Sequence, residues 1–326
     1  MSLIRSQLAD GTLGEERVVR LPRLGPTADR RRERCERWWI RSFGGPEVLE
    51  VAEVPEPHAG PGQVRIRVEA AAANPVDNAT RAGVLAGAGV VDQVNGGPFS
   101  VGDRVIGLSD RLDLPTKGQA EFVVLDTNAV AAAPDADLVA ASTLPLNGST
   151  ALQALDLLGV EAGETLLVTG AAGAVGGFAV ELAVAQGLRV VATASDGDEE
   201  LVRGLGAEVF VPRSKALAEE VRRAVPGGVD GALDAAIVGV RALDAVRNGG
   251  GFIAVVAGVA PPPLRGINVR NVWVRADGGT LQELSGLVAQ GKLTLRTADT
   301  LPFAEVAEAH RRLEKGGLRG RLVLRL

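Results

Sequence analysis

The sequence contains no tyrosine and very few residues that bind metals or form disulfides. Its 326 residues include one cysteine, Cys35, and two histidines, His58 and His310. A single cysteine excludes an intrachain disulfide and a four-cysteine structural zinc site. A catalytic zinc site of the Cys/His type would lack ligands, and no tyrosine is present to act as a proton donor. We therefore expect the chemistry to proceed without a bound metal.

The chain also lacks an excess of positive charge and long apolar runs. Its 35 lysines and arginines are outnumbered by 40 acidic residues, which gives a net charge of -5. A nucleic-acid binder would need a basic surface, and a membrane span would need roughly 18 consecutive apolar residues. The first residues carry acids and a glycine where a signal peptide would be apolar. We expect a cytoplasmic protein without membrane or nucleic-acid partners.

Length and composition predict two domains preceded by an atypical segment. Hydrophobic residues make up 46% and charged residues 23% of the chain, which is ordinary for a globular protein. Residues 1–37 are rich in arginine and glutamate and show no clear strand pattern. This mixed charge favours a solvated helix, a disordered extension or a misplaced start over a basic interaction arm.

The region 38–146 reads as a β domain rich in turns. Val64, Ile66 and Val68 alternate with Arg65 and Arg67, which is the pattern of a half-buried strand. Further short apolar pieces separated by glycines and prolines follow as far as residue 146. We expect a compact β-rich domain here.

From residue 147 the pattern changes to short apolar runs that alternate with helices. The runs are TLLVT (165–169), LRVVATAS (188–195), EVFVPR (208–213), VDGALDAA (229–236), GFIAVVAG (251–258) and, as a possible sixth, NVWVRAD (271–277). Such alternation predicts βαβ units and a parallel sheet. The chain then ends in a helix and a closing strand that could rejoin the first domain.

A glycine turn between a strand and an apolar helix is the most informative stretch. Gly170 permits a tight turn, Gly173 lets the backbone approach a pyrophosphate, and Gly176 lets the helix pack on the strand. The N-terminus of the helix offers N–H groups to that pyrophosphate. An ordinary tight turn is the alternative. We expect a Rossmann-type dinucleotide site with these cofactor-binding residues: Gly170, Ala171, Gly173, Ala174, Val175, Gly176 and Ser195.

Ser195 stands where an NAD-binding protein usually has an acid for the ribose 2′-hydroxyl. A neutral hydroxyl leaves room for a 2′-phosphate, so the sequence modestly favours NADPH. Four acids follow at once, however, namely Asp196, Asp198, Glu199 and Glu200. Arg203 and Arg213 are possible phosphate partners, although each could equally be an ordinary surface arginine.

Seven motifs span nearly everything from residue 38 onward. The motifs are FGGPEVLEVAEVPEPHAGPGQVRIRVEAAAANPVD (43–77), VGDRVIGL (101–108), LPLNGSTALQAL (144–155), VTGAAGAVGG (168–177), GGVDGALDAA (227–236), GGGFIAVVAG (249–258) and AEAHRRLEKGGLRGRLVL (307–324). Together, and in this order, they resemble the zinc-independent quinone oxidoreductases of the medium-chain dehydrogenase/reductase superfamily.

The resemblance implies an α/β fold of two domains. A doubly wound parallel Rossmann sheet would occupy 147–282, and a GroES-like β-rich catalytic domain would comprise 38–146 and 283–326, with the active site in the cleft. The family transfers hydride from NADPH to a quinone or an α,β-unsaturated carbonyl. A homodimer is implied as well, through NVWVRAD as the edge strand of the Rossmann sheet.

The resemblance also assigns roles to individual residues. Asn74 matches the family's active-site asparagine, and Thr150 matches the threonine near the nicotinamide. Asp77 and Arg81 follow at family-like spacing and would line the substrate side. If the resemblance is disregarded, Asn74 is a residue that favours a turn before Pro75, and Thr150 could simply cap a helix.

The sequence departs from the family in two places. Residues 1–37 precede the usual start, and the stretch Gly83–Val91 is shorter than the family's segment, which supplies a buried strand and part of the pocket wall. We expect a more open substrate side and slow or promiscuous turnover. Two other functions stay open: an enoyl reductase of a biosynthetic pathway, and a non-catalytic NADPH-binding scaffold or sensor.

Overall fold

The computed structural model describes residues 34–40, 46, 49–80, 86–111 and 119–326. The chain divides into two units, Met1–Glu33 and Arg34–Leu326. The first unit lies outside the described residues, so the structural account concerns the second. Within the described part of the chain, none of the helices combines the length and the hydropathy that a membrane span requires.

The described chain begins with a two-stranded ribbon. Strand β1 (Arg34–Ile40) runs antiparallel to β2 (Leu49–Pro55). The sequence showed no strand pattern in 1–37, so the start of β1 at Arg34 corrects that interpretation. Backbone pairing with β2, which pairs Arg34 with Pro55, makes these charged residues a strand without any alternation of apolar side chains.

The larger β-rich sheet has seven strands. These are β3 (Gln63–Ala73), β4 (Ala86–Asn95), β5 (Arg104–Leu108), β6 (Phe122–Asp126), β7 (Val130–Ala132), β14 (Thr297–Pro302) and β15 (Arg321–Arg325). Their order is β14-β15-β3-β4-β5-β7, and β6 also pairs with β3. The alternation predicted in β3 is confirmed, because Val64, Ile66 and Val68 are buried. Their burial fixes which face of β3 covers the core.

Strand β15 joins the end of the chain to this sheet. It runs antiparallel to β3, with Leu322 opposite Ala73, and parallel to β14. The expected return of the closing strand to the first sheet is thereby confirmed. As a result, residues from both parts of the chain meet at the end of β3.

The second sheet is a parallel sheet of six strands. These are β8 (Thr165–Thr169), β9 (Arg189–Ala194), β10 (Val209–Pro212), β11 (Val229–Asp234), β12 (Val246–Ala254) and β13 (Asn268–Asn271). Their order β10-β9-β8-β11-β12-β13 is that of a Rossmann sheet, with the chain reversing its direction of progress between β8 and β11. The predicted α/β fold with a doubly wound parallel sheet and a β-rich region is confirmed.

The sixth strand lies at Asn268–Asn271 and not at 271–277 as the sequence suggested. It pairs in parallel with β12, and the pairing ends where Ala254 meets Asn271. Since β12 ends at Ala254, the apolar residues beyond Asn271 have no neighbouring strand to join. Trp273 is instead 70% exposed.

Nine helices occur within the described residues: α1 (Pro75–Thr80), α2 (Leu138–Ala141), α3 (Leu144–Leu158), α4 (Ala174–Ala185), α5 (Glu199–Gly204), α6 (Leu217–Ala224), α7 (Val240–Leu243), α8 (Gly278–Ala289) and α9 (Val306–Lys315). Helices α3 and α4 supply Leu155 and Phe178 to one core together with Val168 of β8. Packing on this core holds the start of α4 against the end of β8.

Part of the stretch that was expected to be shortened lies outside the described residues. These are residues 83–85, and Arg81, which was expected to line the substrate side, lies outside the described residues as well. The remainder, Ala86–Val91, belongs to β4 and pairs with β3 and β5. The open substrate side expected from this stretch stays a prediction.

Candidate cofactor and substrate site

The carboxyl ends of β8 and β11 meet at the centre of the parallel sheet, where the strand order reverses. In α/β sheets a ligand binds in the crevice at such a switch point. The hydroxyl of Thr169 donates a 2.6 Å hydrogen bond to Asp234 Oδ1 and ties the two strand ends together. Asp234 also accepts from the backbone N–H groups of Val238 at 3.0 Å and Gly239 at 2.8 Å. Two central strand ends are thus held at fixed positions.

The glycine turn follows β8 directly. Gly170 has φ +63°, a left-handed conformation that glycine adopts without strain. A Cβ on Gly176 would overlap the carbonyl oxygen of Gly170, and one on Gly173 would lie 3.2 Å from the same oxygen. Gly173 is the residue preceding α4, so the free N–H groups of that helix begin here. The turn is therefore closely packed and depends on its glycines.

The other turn residues have distinct surroundings. Ala171 is fully buried, and its N–H donates to the carbonyl oxygen of Thr193 in β9 at 3.1 Å. Ala174 is the first residue of α4 and is also buried, whereas Val175 is partly exposed. Of these three residues, Val175 is the one whose side chain reaches solvent beside the turn.

Ser195 lies at the carboxyl end of β9 and is partly exposed. Its neighbour Asp196 is exposed, and both carboxylate oxygens of Asp196 accept from the hydroxyl of Ser214 at 2.9 Å. The backbone N–H of Arg213 donates to Ala194 O at 2.8 Å, so Arg213 lies beside the same strand end. The predicted 2′ region of the ribose therefore brings a hydroxyl, a carboxylate and an arginine together.

Arg203, the other suggested phosphate partner, is already engaged. Its Nε donates to Glu199 at 2.8 Å and its Nη1 to the carbonyl oxygen of Glu208 at 2.9 Å. The exposed side chain of Arg213 has no such bonds among the described residues. Of these two arginines, Arg213 is thus the one that is free to bind a phosphate.

Asn74 lies at the end of β3 in a buried polar network. It is fully buried, its backbone N–H donates to Asp77 Oδ2 at 2.7 Å, and its Nδ2 donates to the carbonyl oxygen of Ala72 at 3.0 Å. Its Oδ1 accepts from Asn147 Nδ2 at 3.3 Å. Arg321 Nε donates to Asn147 Oδ1 at 2.9 Å. Segments that are far apart in sequence therefore converge on Asn74.

Thr150 lies on the same helix as Asn147, one turn further along α3. It is nearly buried, and its hydroxyl donates to the carbonyl oxygen of Leu146 at 2.6 Å. The alternative that Thr150 caps a helix is wrong, because α3 begins at Leu144 and Thr150 is in its interior. Spacing of three residues puts Asn147 and Thr150 on neighbouring positions of one face.

Arg321 brings positive charge to this network. Desolvation lowers the pKa of its guanidinium to about 10, while the nearby carboxylate of Asp77 acts to raise it. Arg321 therefore remains a cation at neutral pH. Asn147 and Arg321 were missed at the sequence level. Asn147 sits in the same motif as Thr150, and Arg321 sits in the motif 307–324, but no local pattern predicted that the two side chains would meet.

The network is continuous with the glycine turn. The backbone N–H of Arg321 donates to Arg296 O at 3.1 Å. The side chain of Arg296 in turn donates from Nη2 to the carbonyl oxygen of Gly173 at 3.1 Å. Asn74 and the glycine turn are therefore joined through Asn147, Arg321 and Arg296.

Two further observations delimit the site. Among the described residues, no three His, Cys, Asp or Glu side chains are grouped so that they could hold a metal ion. A depression of about 670 Å³ is lined by Glu219, Arg222, Asp244 and Arg265, among others. It shares no residue with the glycine turn or with Asn74, and two of its arginines already donate to backbone carbonyl oxygens. We do not assign the chemistry to that depression.

Comparison with known proteins gives a consistent family. Residues 205–324 match the family described as zinc-binding dehydrogenase. That segment holds no cysteine and one histidine, so the zinc ligands that the description suggests are missing from it. The 2-methylene-furan-3-one reductase of Solanum lycopersicum is 30% identical in an alignment of 314 residues that covers 88% of this chain and 78% of that protein.

A second relative and one solved structure point to the same family. The chloroplastic NADPH-dependent alkenal/one oxidoreductase of Arabidopsis thaliana is 30% identical over 312 residues, again 88% of this chain and 78% of that protein. The quinone oxidoreductase of Coxiella burnetii superposes with a TM-score of 0.79 at 26% identity, covering 90% of this chain and 99% of that one. The chain belongs to the quinone oxidoreductase family of the medium-chain dehydrogenase/reductase superfamily.

Proposed function

We propose that this chain is a reductase that uses NADPH to transfer hydride to a quinone or an α,β-unsaturated carbonyl, without zinc. The observation that carries the proposal is a chain of hydrogen-bonded residues from Asn74 through Asn147, Arg321 and Arg296 to Gly173, in which each arginine takes part with both its side chain and its backbone. It supports a substrate side at Asn74 next to a dinucleotide site at the glycine turn. The names of the relatives from Solanum lycopersicum and Arabidopsis thaliana support the same substrate class and, for the latter, NADPH.

The residues present fit a dinucleotide. Glycines at 173 and 176 permit the close turn onto Gly170 O at the start of α4, and the N-terminal N–H groups of that helix are suited to a pyrophosphate. Ser195 would face the 2′ position of the ribose. The bound nicotinamide would supply the hydride. The protein's own residues would bind and orient the substrate and stabilise the charge that develops.

Asn74 is proposed to bind the carbonyl oxygen of the substrate. One N–H of its amide is used by Ala72 O, which leaves the second as a donor. The bond from Asn147 to Asn74 Oδ1 fixes which end of the amide is the donor. A donor held in a fixed position stabilises the negative charge that develops on the oxygen, and the buried cation Arg321 adds to this. Thr150 would lie beside the nicotinamide, and solvent would supply the last proton.

Oxidation of NADPH in the presence of a panel of quinones and enones, with NADPH binding measured in parallel, tests the proposal. We expect saturable binding and turnover of at least one of the two classes. Tight binding without turnover of any compound would indicate a scaffold or sensor. Turnover confined to carrier-bound enoyl thioesters would indicate a biosynthetic enoyl reductase. Failure to bind NADPH or NADH would contradict the proposal altogether.

Zinc independence has its own test. Metal analysis of the purified protein should find no stoichiometric zinc, and incubation with a chelator should leave turnover unchanged, because the chain has one cysteine and two histidines to offer as ligands. A bound zinc whose removal abolishes turnover would contradict this part of the proposal.

Domain limits and assembly belong to the proposal as well. The division into 38–146 with 283–326 and 147–282 follows the two sheets. Strand β13 is the edge of the parallel sheet, and the exposed apolar residues Leu264 and Trp273 lie close to it in sequence. An edge of this kind favours a homodimer. Light scattering should give twice the mass of one chain, and a monomer at high concentration would contradict it. A cytoplasmic location is also proposed, since a single cysteine suits a reducing compartment.

A further inference from the structure

Arg296 lies directly against the first turn of α4. Its Nη2 donates to Gly173 O at 3.1 Å and lies 3.5 Å from Ala174 O. Its Cζ is 5.9 Å from the centroid of the Phe178 ring. Its Nε and Nη1 are buried and have no hydrogen-bond partner among the described residues. Two buried donors without partners on a partly buried cation call for an explanation beyond packing.

Gly177 provides the space for this cation. A Cβ on Gly177 would overlap the guanidinium of Arg296. Gly177 is inside α4, where alanine is the better helix former. Glycine at this position therefore permits the close approach of Arg296 at some cost to the helix.

The charge of Arg296 is only partly compensated by the protein. Burial lowers the pKa of Arg296, and the negative charge of Glu181 in α4 raises it. The carboxylate of Glu181 is itself held by the backbone N–H of Thr294, at 3.1 and 3.2 Å from its two oxygens. Because a buried charge is stable only when it is paired, a second anion near the start of α4 would stabilise Arg296.

We propose that Arg296 is a positioning residue for the pyrophosphate of the dinucleotide, acting through the glycine turn. By donating to Gly173 O it neutralises a carbonyl dipole beside the bound anion, and its charge adds to the partial positive charge of the α4 N-terminus. The proposal rests on the proposed cofactor site. If the proposal is right, loss of Arg296 must weaken the binding of ligands that contain a pyrophosphate and leave the binding of ligands without one unchanged.

Calorimetric titration with two ligands compares binding with and without a pyrophosphate. ADP-ribose carries the pyrophosphate, and adenosine 2′-monophosphate does not. Arg296→Met should weaken ADP-ribose about tenfold, which corresponds to about 1.4 kcal/mol, and change adenosine 2′-monophosphate less than about twofold. Arg296→Lys keeps the charge and should bind ADP-ribose within about threefold of the parent. Arg189→Met removes an arginine from the opposite end of β9, where it pairs with Glu208, and should change neither probe.

A double-mutant cycle with Gly177→Ala tests the geometry. The added methyl should displace the guanidinium and weaken ADP-ribose in the parent, but have little further effect in Arg296→Met. If Arg296→Met fails to fold, Gly177→Ala in the parent and Arg296→Lys still decide the question, because both displace or replace the guanidinium without removing the residue's charge. Unchanged ADP-ribose affinity in Arg296→Met, or equal weakening of both probes with a lower Tm, would overturn the proposal. A parent that binds neither ADP-ribose nor NADPH would instead overturn the cofactor site.

Discussion

The side-chain amides of Asn147 and Asn74 are hydrogen-bonded to each other, with Asn147 Nδ2 donating to Asn74 Oδ1 at 3.3 Å. Asn147 Oδ1 accepts in turn from Arg321 Nε at 2.9 Å. Because an arginine can only donate, the oxygen of Asn147 must face Arg321, and its nitrogen must then face Asn74. The amide of Asn74 must then present its oxygen to Asn147, so Arg321 sets the orientation of the Asn74 amide without contacting it.

Asn74→Ala should lower kcat for an enone by about a hundredfold to a thousandfold, the usual loss when one donor to a developing oxyanion is removed. NADPH affinity should remain within about twofold, since Asn74 is outside the glycine turn. Single-turnover kinetics and NADPH titration measure the two quantities. Asn95→Ala removes an asparagine from the end of β4 and should leave both unchanged. Equal kcat in Asn74→Ala and the parent would refute the assigned role.

Gly176→Ala should abolish detectable NADPH binding and destabilise the fold by about 1–3 kcal/mol, because its methyl group would overlap Gly170 O. The matched control is Gly286→Ala in α8, where the added methyl meets open space. That substitution should stabilise the protein by up to about 1 kcal/mol. Urea unfolding and NADPH titration compare the pair. Similar behaviour of the two variants would show that the turn is not closely packed.

Asp196→Asn should raise the affinity for NADPH by a few-fold and leave that for NADH unchanged or lower. The carboxylate of Asp196 follows Ser195 and would repel a 2′-phosphate, and its exposure to solvent keeps the effect small. Asp135→Asn removes an exposed charge elsewhere and serves as the control. The ratio of the two Kd values gives the preference. An unchanged ratio would place the 2′-phosphate away from Asp196.

Asp277→Ala should destabilise the protein by about 1 kcal/mol at neutral pH, because Asp277 caps α8. Its side chain accepts from Thr280 Oγ1 at 2.7 Å and Thr280 N at 2.9 Å. The Thr280 side-chain hydrogen bond, then the Thr280 backbone N–H, hold the pKa of Asp277 below its usual value of 3.8.

A lowered folded-state pKa contributes stability that is present above the unfolded-state value and is lost as pH falls through the folded-state value. The difference between parent and Asp277→Ala should therefore shrink below pH 3.8. Urea unfolding across that range measures it. Asp277→Asn keeps an acceptor but does not titrate, so its stability relative to Asp277→Ala should not vary with pH. A constant difference for the parent would show that the cap does not depend on charge.

The sequence predicted those parts of the fold that local patterns encode. Alternation in β3 identified its buried face, and the strand, glycines and helix around Gly173 identified the turn. The edge strand β13 was misplaced because the apolar letters at 272–274 resemble a strand, whereas strand formation there depends on where β12 ends. Pairing with a distant neighbour overrides local composition.

The candidate site was predictable only in part for the same reason. Asn74 and Thr150 came from family motifs, and Asn147 shares a motif with Thr150. Arg321 and Arg296 reach the site because β15 inserts beside β3 and β14 follows α8. Arg321 belongs to the motif 307–324 and Arg296 to none, and the sequence does not predict which residues either of them contacts. Long-range convergence of this kind is visible only once the topology is known.

The insertion of β15 between β14 and β3 also governs the order in which the molecule can form. The parallel sheet is built from one uninterrupted stretch, β8 to β13, and can assemble from it alone. The other sheet must wait until Leu322 finds Ala73, a contact of very long sequence separation. Closing so large a loop is slow. Refolding should then show two phases, with protection of β8 amides from hydrogen exchange preceding that of β3, and Asn74 should gain its partners last.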